Sequence, residues 1–438
     1  MRRLVLAILV GGLISSHANA ALASAQELFG FGSRSPGMAG GCIALSEGFE
    51  AVYANPAGLA WTPRQSFAFG YMRTDMFLEA RGADGALQDA QAVERPGGLS
   101  FGAAVPLPLP GDWNDRFHLG VGLYIPDSDL IQAHVPAPFE PGFPIIGNRA
   151  NTLGIHAAGA VRVTDWLRLG AGVKVLARLI GDIQVSPNVV GQLSSSIVDE
   201  LKSTWALLAG VTVGPFDGFR VAAAFRGEEV GSFSLPIRAD LGDAFPIEVP
   251  TIRIQGVAQY DPRSIALATS WSPGAWLATE ASVTFKQWSR HPEPIETATP
   301  GAEAPPPIGL EDTLSLRLSA ETTGSLAPLW RWEARLGYGF EPAPAPAQRG
   351  PNNHLDNDRH IAALGASFTR VFPSEAEDDE RTVTLHLFAQ HHLLTRRRHI
   401  KDTTLHVESP GWLDNAGLPW IESSGHVLTT GAGLEVGF

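Results

Sequence analysis

Cysteine is nearly absent from this 438-residue chain, where Cys42 stands alone. A single thiol excludes an intramolecular disulfide framework and any zinc site built from clustered cysteines. Long apolar runs are missing as well. The only candidate, Leu4 to Ile14, is about half the roughly 20 residues that a membrane-crossing helix needs, which excludes a polytopic helical membrane protein. Charge is sparse, at 18% of residues against roughly 25% in an average soluble domain. The formal net charge of −13 makes a general nucleic-acid binder a poor fit. No GxSxG elbow, P-loop or HExxH motif occurs, and no nucleophile–base pair stands out. Neither an enzyme nor a cofactor or metal site is expected. Glycine (47) and proline (33) are plentiful, and the 44% apolar content argues against a disordered chain.

The N-terminus reads as an export signal over residues 1–20. Arg2 and Arg3 form a positive segment, the apolar run follows, and Ala18-Asn19-Ala20 supplies a small-x-small cleavage site. A second such site, Ala23-Ser24-Ala25, leaves the cut position open. A lone cysteine suits an oxidising compartment.

Beyond the signal no 3.6-residue apolar period is sustained, while period-two alternation recurs from about residue 65 to the end. Phe117, Leu119, Val121 and Leu123 oppose His118, Gly120, Gly122 and Tyr124. Leu167, Leu169, Ala171, Val173 and Val175 oppose Arg168, Gly170, Gly172 and Lys174. Trp330, Trp332, Ala334, Leu336, Tyr338 and Phe340 oppose Arg331, Glu333, Arg335, Gly337 and Gly339. A soluble sandwich would alternate too. Two features favour a membrane barrel. The second face is crowded with Gly and Ala broken by Arg, Lys, Glu and His, and the apolar face carries aromatics at strand ends, among them Trp205, Phe219, Trp330 and Phe340.

Connections alternate in length. Thr164-Asp165, Pro215 to Gly218 and Ser272 to Gly274 are tight turns, whereas 125–150, 179–202, 289–311, 341–358 and 394–424 are long polar stretches. Short turns at one end and long loops at the other are the outer-membrane pattern. The fold class is therefore an all-β transmembrane antiparallel barrel over 65–438. It has fourteen strands if 231–260 is one excursion, and sixteen if 231–240 and 251–260 each cross. The chain ends in the alternating stretch Leu434 to Phe438, whose terminal aromatic resembles the signal read by the barrel assembly machinery.

Residues 30–60, GFGSRSPGMAGGCIALSEGFEAVYANPAGLA, resemble the N-terminal segment of the FadL/TodX-type outer-membrane transport family. The similarity rests on the Gly/Ser/Arg stretch, Gly40-Gly41, and Asn55-Pro56-Ala57-Gly58-Leu59. Later pieces agree, at Phe285 to Ser289, at Arg335 to Phe340 before Pro342, and at Asp356 to His360. The resemblance implies passive uptake of long-chain fatty acids or other hydrophobic molecules through a fourteen-stranded barrel closed by a hatch. The hatch is placed at residues 21–64, with Asn55, Pro56, Ala57 and Gly58 as the turn that fixes it. The family's lateral exit through a kinked third strand would fall at Gly120 and Gly122, which alternatively make room for the hatch. An extracellular ligand groove is expected at Phe139, Phe143, Ile145 and Ile146. A polar-solute porin and a secretion- or assembly-associated barrel remain rival readings.

Arg396, Arg397 and Arg398 are expected at the extracellular rim against lipid head groups. Arg168, Lys174, Arg220, Arg226, Arg331 and Arg335 are expected in the lumen, paired with acids such as Glu333. Asp356-Asn357-Asp358 lacks the glycine and distal glutamate of an EF-hand and reads as a solvated turn. The expected partners are a hydrophobic ligand, outer-membrane lipid and, through Phe438, the assembly machinery. A monomer in the outer membrane of a bacterium is expected.

Overall fold

The computed structural model describes residues 24–438 except 86, 89–96, 128–140, 147–152, 188–192, 240–251, 293–294, 298–307, 374–379, 405–414 and 416. The proposed signal, residues 1–20, lies outside the described residues, as does the outer loop around Pro300. No described helix is long and apolar enough to cross a membrane; the crossing is made by strands.

Eighteen strands among the described residues join one sheet, and fourteen of them form its closed wall. These are β1 Ser66–Gly82, β2 Gly97–Pro106, β3 Phe117–Pro126, β4 Gly154–Arg162, β5 Leu167–Pro187, β6 Leu193–Phe216 and β7 Phe219–Arg226. They continue as β8 Arg263–Gly274, β9 Leu277–Gln287, β10 Thr313–Ala327, β11 Trp330–Glu341, β12 Arg359–Phe372, β13 Arg381–Ile400 and β14 Trp420–Gly437. Neighbours in sequence pair antiparallel, and β1 closes on β14 from Ser66↔Gly437 to Gly82↔Ile421. The strand β7 pairs directly with β8. Residues 229–239 and 252–261 form a separate hairpin that also pairs with β5. This excludes the sixteen-strand alternative: the segment is an excursion, because β7 pairs directly with β8 and neither arm stands between them. The stretch 179–202, expected as a polar loop, is a continuation of β5 and β6 paired out to Pro187↔Leu193.

Turns such as 163–166, 217–218, 275–276 and 328–329 gather at one end, which in this architecture faces the periplasm. A belt of exposed aromatics surrounds that end: Phe67, Trp113, Trp166, Phe216, Phe219, Trp271, Trp276, Trp330, Phe372 and Phe438. Above it the outward positions are Leu, Val and Ile, including Leu119, Leu169, Val221, Leu267, Leu316, Leu364 and Leu385. The alternation of the sequence thus separates lipid from lumen. Phe438 sits in the belt, its ring 6.1 Å from Phe67 and its N–H donated to the Gln65 carbonyl.

Inside the wall lie residues 24–62, in short helical turns at Ala25–Phe29, Pro36–Met38, Gly48–Glu50, Ala51–Ala54 and Pro56–Trp61. Nearly all are buried, and they touch strands around the lumen, from Thr212 on β6 to Glu280 on β9 and Gln390 on β13. We call this segment the hatch.

Candidate functional site

The turn expected to fix the hatch is one of its best-packed parts. Asn55 is fully buried. Its Nδ2 donates to the Ile43 carbonyl (2.9 Å) and to Thr212 Oγ1 (3.1 Å), while Oδ1 accepts the Ala57 N–H (3.2 Å). Asn55 thus caps the turn Pro56–Trp61 and fastens it to β6. Pro56 supplies the fixed φ that starts such a turn. The wall accommodates this with glycine. A Cβ on Gly210 would lie 1.9 Å from Asn55 Oδ1, and one on Gly170 would lie 2.3 Å from the Ala57 nitrogen. Gly58 lies against Ser46 in the same way. Gly120 and Gly122 on β3 face Leu59, Val52 and Phe31 of the hatch, with clearance for no side chain. The ladders on both sides of β3 run without a register shift.

Charge does the rest of the fastening. Glu280 on β9 accepts four successive backbone N–H groups, from Cys42 (3.0 Å), Ile43 (2.8 Å), Ala44 (2.9 Å) and Leu45 (2.9 Å). Within the hatch, Glu50 accepts those of Ser33, Arg34 and Ser35. Arg34 bonds Glu321 on β10 through two nitrogens (2.9 and 2.7 Å), and Glu321 also holds Arg335. Glu27 meets Lys286 at 2.8 Å, and Lys286 meets Glu341, which gathers Arg317 and Arg359 as well. Burial alone would push the Glu27 carboxyl up, but Lys286 and Arg226 beside it bring it down to about 2. Trp61 lies under two guanidiniums, Arg168 at 3.3 Å and Arg220 at 3.8 Å. The expectation that lumen cations pair with acids holds for Lys174 (with Glu229 and Asp261), Arg226 and Arg335. Glu280 itself gave little warning in the sequence. Its only signal is a single acid at an inward position between the small residues of Thr279-Glu280-Ala281-Ser282.

Beside these charges the interior also holds apolar side chains. Leu28, Phe29, Met72, Phe388, Leu394, Ile421 and Val427 join Tyr260, Trp288 and Leu355 in one buried cluster. Three of the residues expected in the outer groove belong to it: Phe143, Ile145 and Ile146 are 6%, 1% and 2% exposed. Their loop enters the barrel mouth, bridged to the loop 342–358 through Gly142 and His354. Phe139 lies outside the described residues. By contrast, the cleft at the periplasmic end between hatch and wall is polar. It measures about 260 Å³ and is lined by Arg34, Glu47, Arg64, Glu333, Arg335 and Glu435 among others.

Two expectations at the outer rim are corrected. Arg397 does not face lipid; its Nη1 donates inward to the carbonyls of Ala345 (2.7 Å) and Asp356 (3.2 Å). The register shift between Leu394 and Arg397 reverses the alternation and leaves only Arg396 and Arg398 outside. The Asp356-Asn357-Asp358 stretch is a brace and not a solvated turn. Asp356 and Asn357 are buried, and Asn357 Nδ2 donates to the carbonyls of Thr395 and Ser423. No cluster able to hold a metal exists among the described residues.

Comparison with known proteins places this architecture. Residues 14–375 match the family model described as "Outer membrane protein transport protein (OMPP1/FadL/TodX)". The chain belongs to this family. Its place is therefore the outer membrane of a bacterium. No curated protein matches the sequence significantly. Among solved structures it is similar to a Pseudomonas aeruginosa FadL homologue, at 15% identity and TM-score 0.54, over 96% of this chain and 98% of that one. It is also similar to the Pseudomonas putida toluene transporter TodX, at 14% identity and TM-score 0.53, over 94% and 99%. For the Ralstonia pickettii toluene transporter TbuX the values are 14% and 0.50, over 94% and 99%. At such identities the likeness is one of fold, and the OMPP1/FadL/TodX fold is what these chains share.

Proposed function

We propose that this barrel takes up hydrophobic small molecules, long acyl chains among them, across the outer membrane without a cofactor or energy source of its own. The observation that carries the reading is the apolar interior between the hatch and the outer loops. A ligand lodging there would part the packed side chains of Phe29, Phe143, Ile145, Ile146, Phe388 and Val427 and lie against them. Each buried methylene contributes about 0.8 kcal/mol, which gives a long chain ample binding energy. The FadL homologue and the toluene transporters supply the context of family and fold, and the chemistry of the lining narrows the class to apolar compounds.

Release needs a movable part, and the hatch is that part in this reading. Its Asn55–Gly58 turn fixes the resting position, and Gly120 and Gly122 let it lie against β3, the wall through which the ligand would leave sideways. The experiment is uptake of a radiolabelled long-chain fatty acid and of toluene into proteoliposomes, compared with protein-free vesicles. Uptake of either above background supports the reading. Free passage of sugars without hydrophobic uptake would replace it with a porin, and neither activity together with a stably co-purifying protein would favour a secretion-associated barrel.

A further inference from the structure

The lipid-facing wall is not uniformly apolar. At the outer end of β11 to β1, three histidines come together on the outside although they are far apart in sequence. Register places Phe340, His360, Leu393, His426 and Phe77 in one row across β11, β12, β13, β14 and β1, with His391 beside it. His360 Nδ1 bonds the Tyr338 hydroxyl at 2.8 Å, and His426 stacks on Phe77 at 4.7 Å and lies 5.6 Å from His391.

The height of this row can be read from the ladder. Val383 is in register with Val436 and, through it, with Phe67 of the periplasmic belt. His391 is eight residues higher, about 27 Å along the strand and, with barrel tilt, about 20 Å in height. That is near the top of an apolar band of about 25 Å. The histidines therefore stand where hydrocarbon gives way to head groups.

About 13 Å further along β14, Glu422 receives both outward arginines. Arg398 Nη2 lies 3.0 Å from one carboxylate oxygen and Arg396 Nε 3.5 Å from the other. Both arginine side chains remain mostly exposed, at 52% and 73%. The ring of Trp420, at the outer end of β14, packs against the Arg398 guanidinium at 4.2 Å. Arg81, paired with Glu79, lies opposite Glu422 on β1. The patch thus holds three arginines against two acids, and the guanidinium forks keep N–H groups free for a planar or tetrahedral oxyanion.

We propose that this face, Arg396 and Arg398 above His360, His391 and His426, binds the phosphorylated sugar head of an outer-leaflet glycolipid. Position and charge select the occupant. The acyl chains lie on the leucines below, the histidines meet the sugar at the interface, and the arginines take the phosphate. The inference rests on the barrel's place in the outer membrane and not on which compound it carries.

The test is native mass spectrometry of the folded, full-length mature protein. It is offered an equimolar mixture of bis-phosphorylated lipid A and the same lipid stripped of phosphate. The wild type is expected to retain the phosphorylated form about tenfold better, and R396Q/R398Q to lose most of that preference. Glu422→Gln, which frees both arginines, should increase it and decides the matter if the double variant does not fold. Equal retention of the two lipids by the wild type would overturn the proposal. So would an undiminished preference in folded R396Q/R398Q, or a preference in Glu422→Gln no greater than that of the wild type. Hydrophobic uptake in proteoliposomes should be unchanged in R396Q/R398Q, so the site and the transport reading fail separately.

Discussion

Two sets of lumen contacts are built from opposite chemistry. In one, the wall presents Glu280, Lys286, Arg317, Glu321 and Glu341, each engaged by a buried partner. In the other, the wall presents Met72, Phe388, Ile421 and Val427, which join Phe143, Ile145 and Ile146 of the outer loops in one buried cluster. A buried ion pair adds little net stability, yet removing one partner strands the other, so the ionic set defines one discrete seating. Apolar contacts are non-directional and yield to any greasy occupant. The ionic set is therefore a lock, and the apolar set is the yielding part.

The contrast breaks first at Glu280. Glu280→Ala leaves four N–H groups of the hatch without their acceptor and should cost about 3 kcal/mol or more of hatch seating. Ion conductance in planar bilayers should rise, while the barrel still runs fast on unheated gels. A silent pore would show that the hatch does not depend on this carboxylate.

In the apolar cluster, Phe143→Ser with Ile146→Ser removes apolar contacts without touching the lock. Ligand affinity should fall by about 2 kcal/mol, near thirtyfold, with conductance unchanged. Fluorescent fatty-acid displacement measures it, and an unaltered affinity would move the ligand elsewhere.

The hatch turn comes next. Asn55→Ala with Pro56→Gly removes a cap and a fixed φ, about 1–2 kcal/mol. Assembly should survive and hydrophobic uptake should drop, with sugar permeation unaffected. Uptake equal to that of the wild type would take the hatch turn out of the mechanism.

The smallest effect is expected at the outer clasp. Burial pushes the Asp356 carboxyl up to about 6, with Arg359 only partly opposing it. A carboxyl raised on folding binds its proton more tightly in the folded loop, so the clasp is favoured at low pH and weakens as pH rises from about 4 through 6. His354, lowered to about 4 by burial and Lys401, acts in the opposite sense: its contribution is lost as pH falls from about 6.5 toward 4. In a His354→Gln background, Asp356→Asn should protect the amides of 343–358 more than the parent at pH 7, and about equally at pH 4. Hydrogen exchange reads this directly, and equal protection at both pH values would contradict it.

Much of the wall was legible in the sequence, because a barrel writes its inside and outside into every second residue. The tight turns at Asp165 and Asp217 and the terminal Phe438 follow from local pattern, whereas 231–260 reads equally as one excursion or two crossing strands, and only the pairing of β7 with β8 decides it. The docking of Asn55 was legible as a turn but not as a bond to Thr212, which lies 157 residues away. The charges are harder still. Glu280 meets residues 42–45 across more than 230 positions, and only closure of fourteen strands fixes which carboxylate faces which stretch of hatch. Arg397 shows the limit in one residue. A register shift between Leu394 and Arg397 separates it from Arg396 and Arg398 in direction, though all three read as one basic cluster.

The most direct test of a polar lock beside a yielding apolar cluster is to measure two permeations in the same proteoliposomes: entry of a long-chain fatty acid or toluene, and osmotic swelling in a small sugar. The wild type should admit the hydrophobic compound and stay closed to sugar, and Glu280→Ala should open it to sugar as well. Sugar entry through the wild-type barrel, with no hydrophobic uptake, would contradict the account.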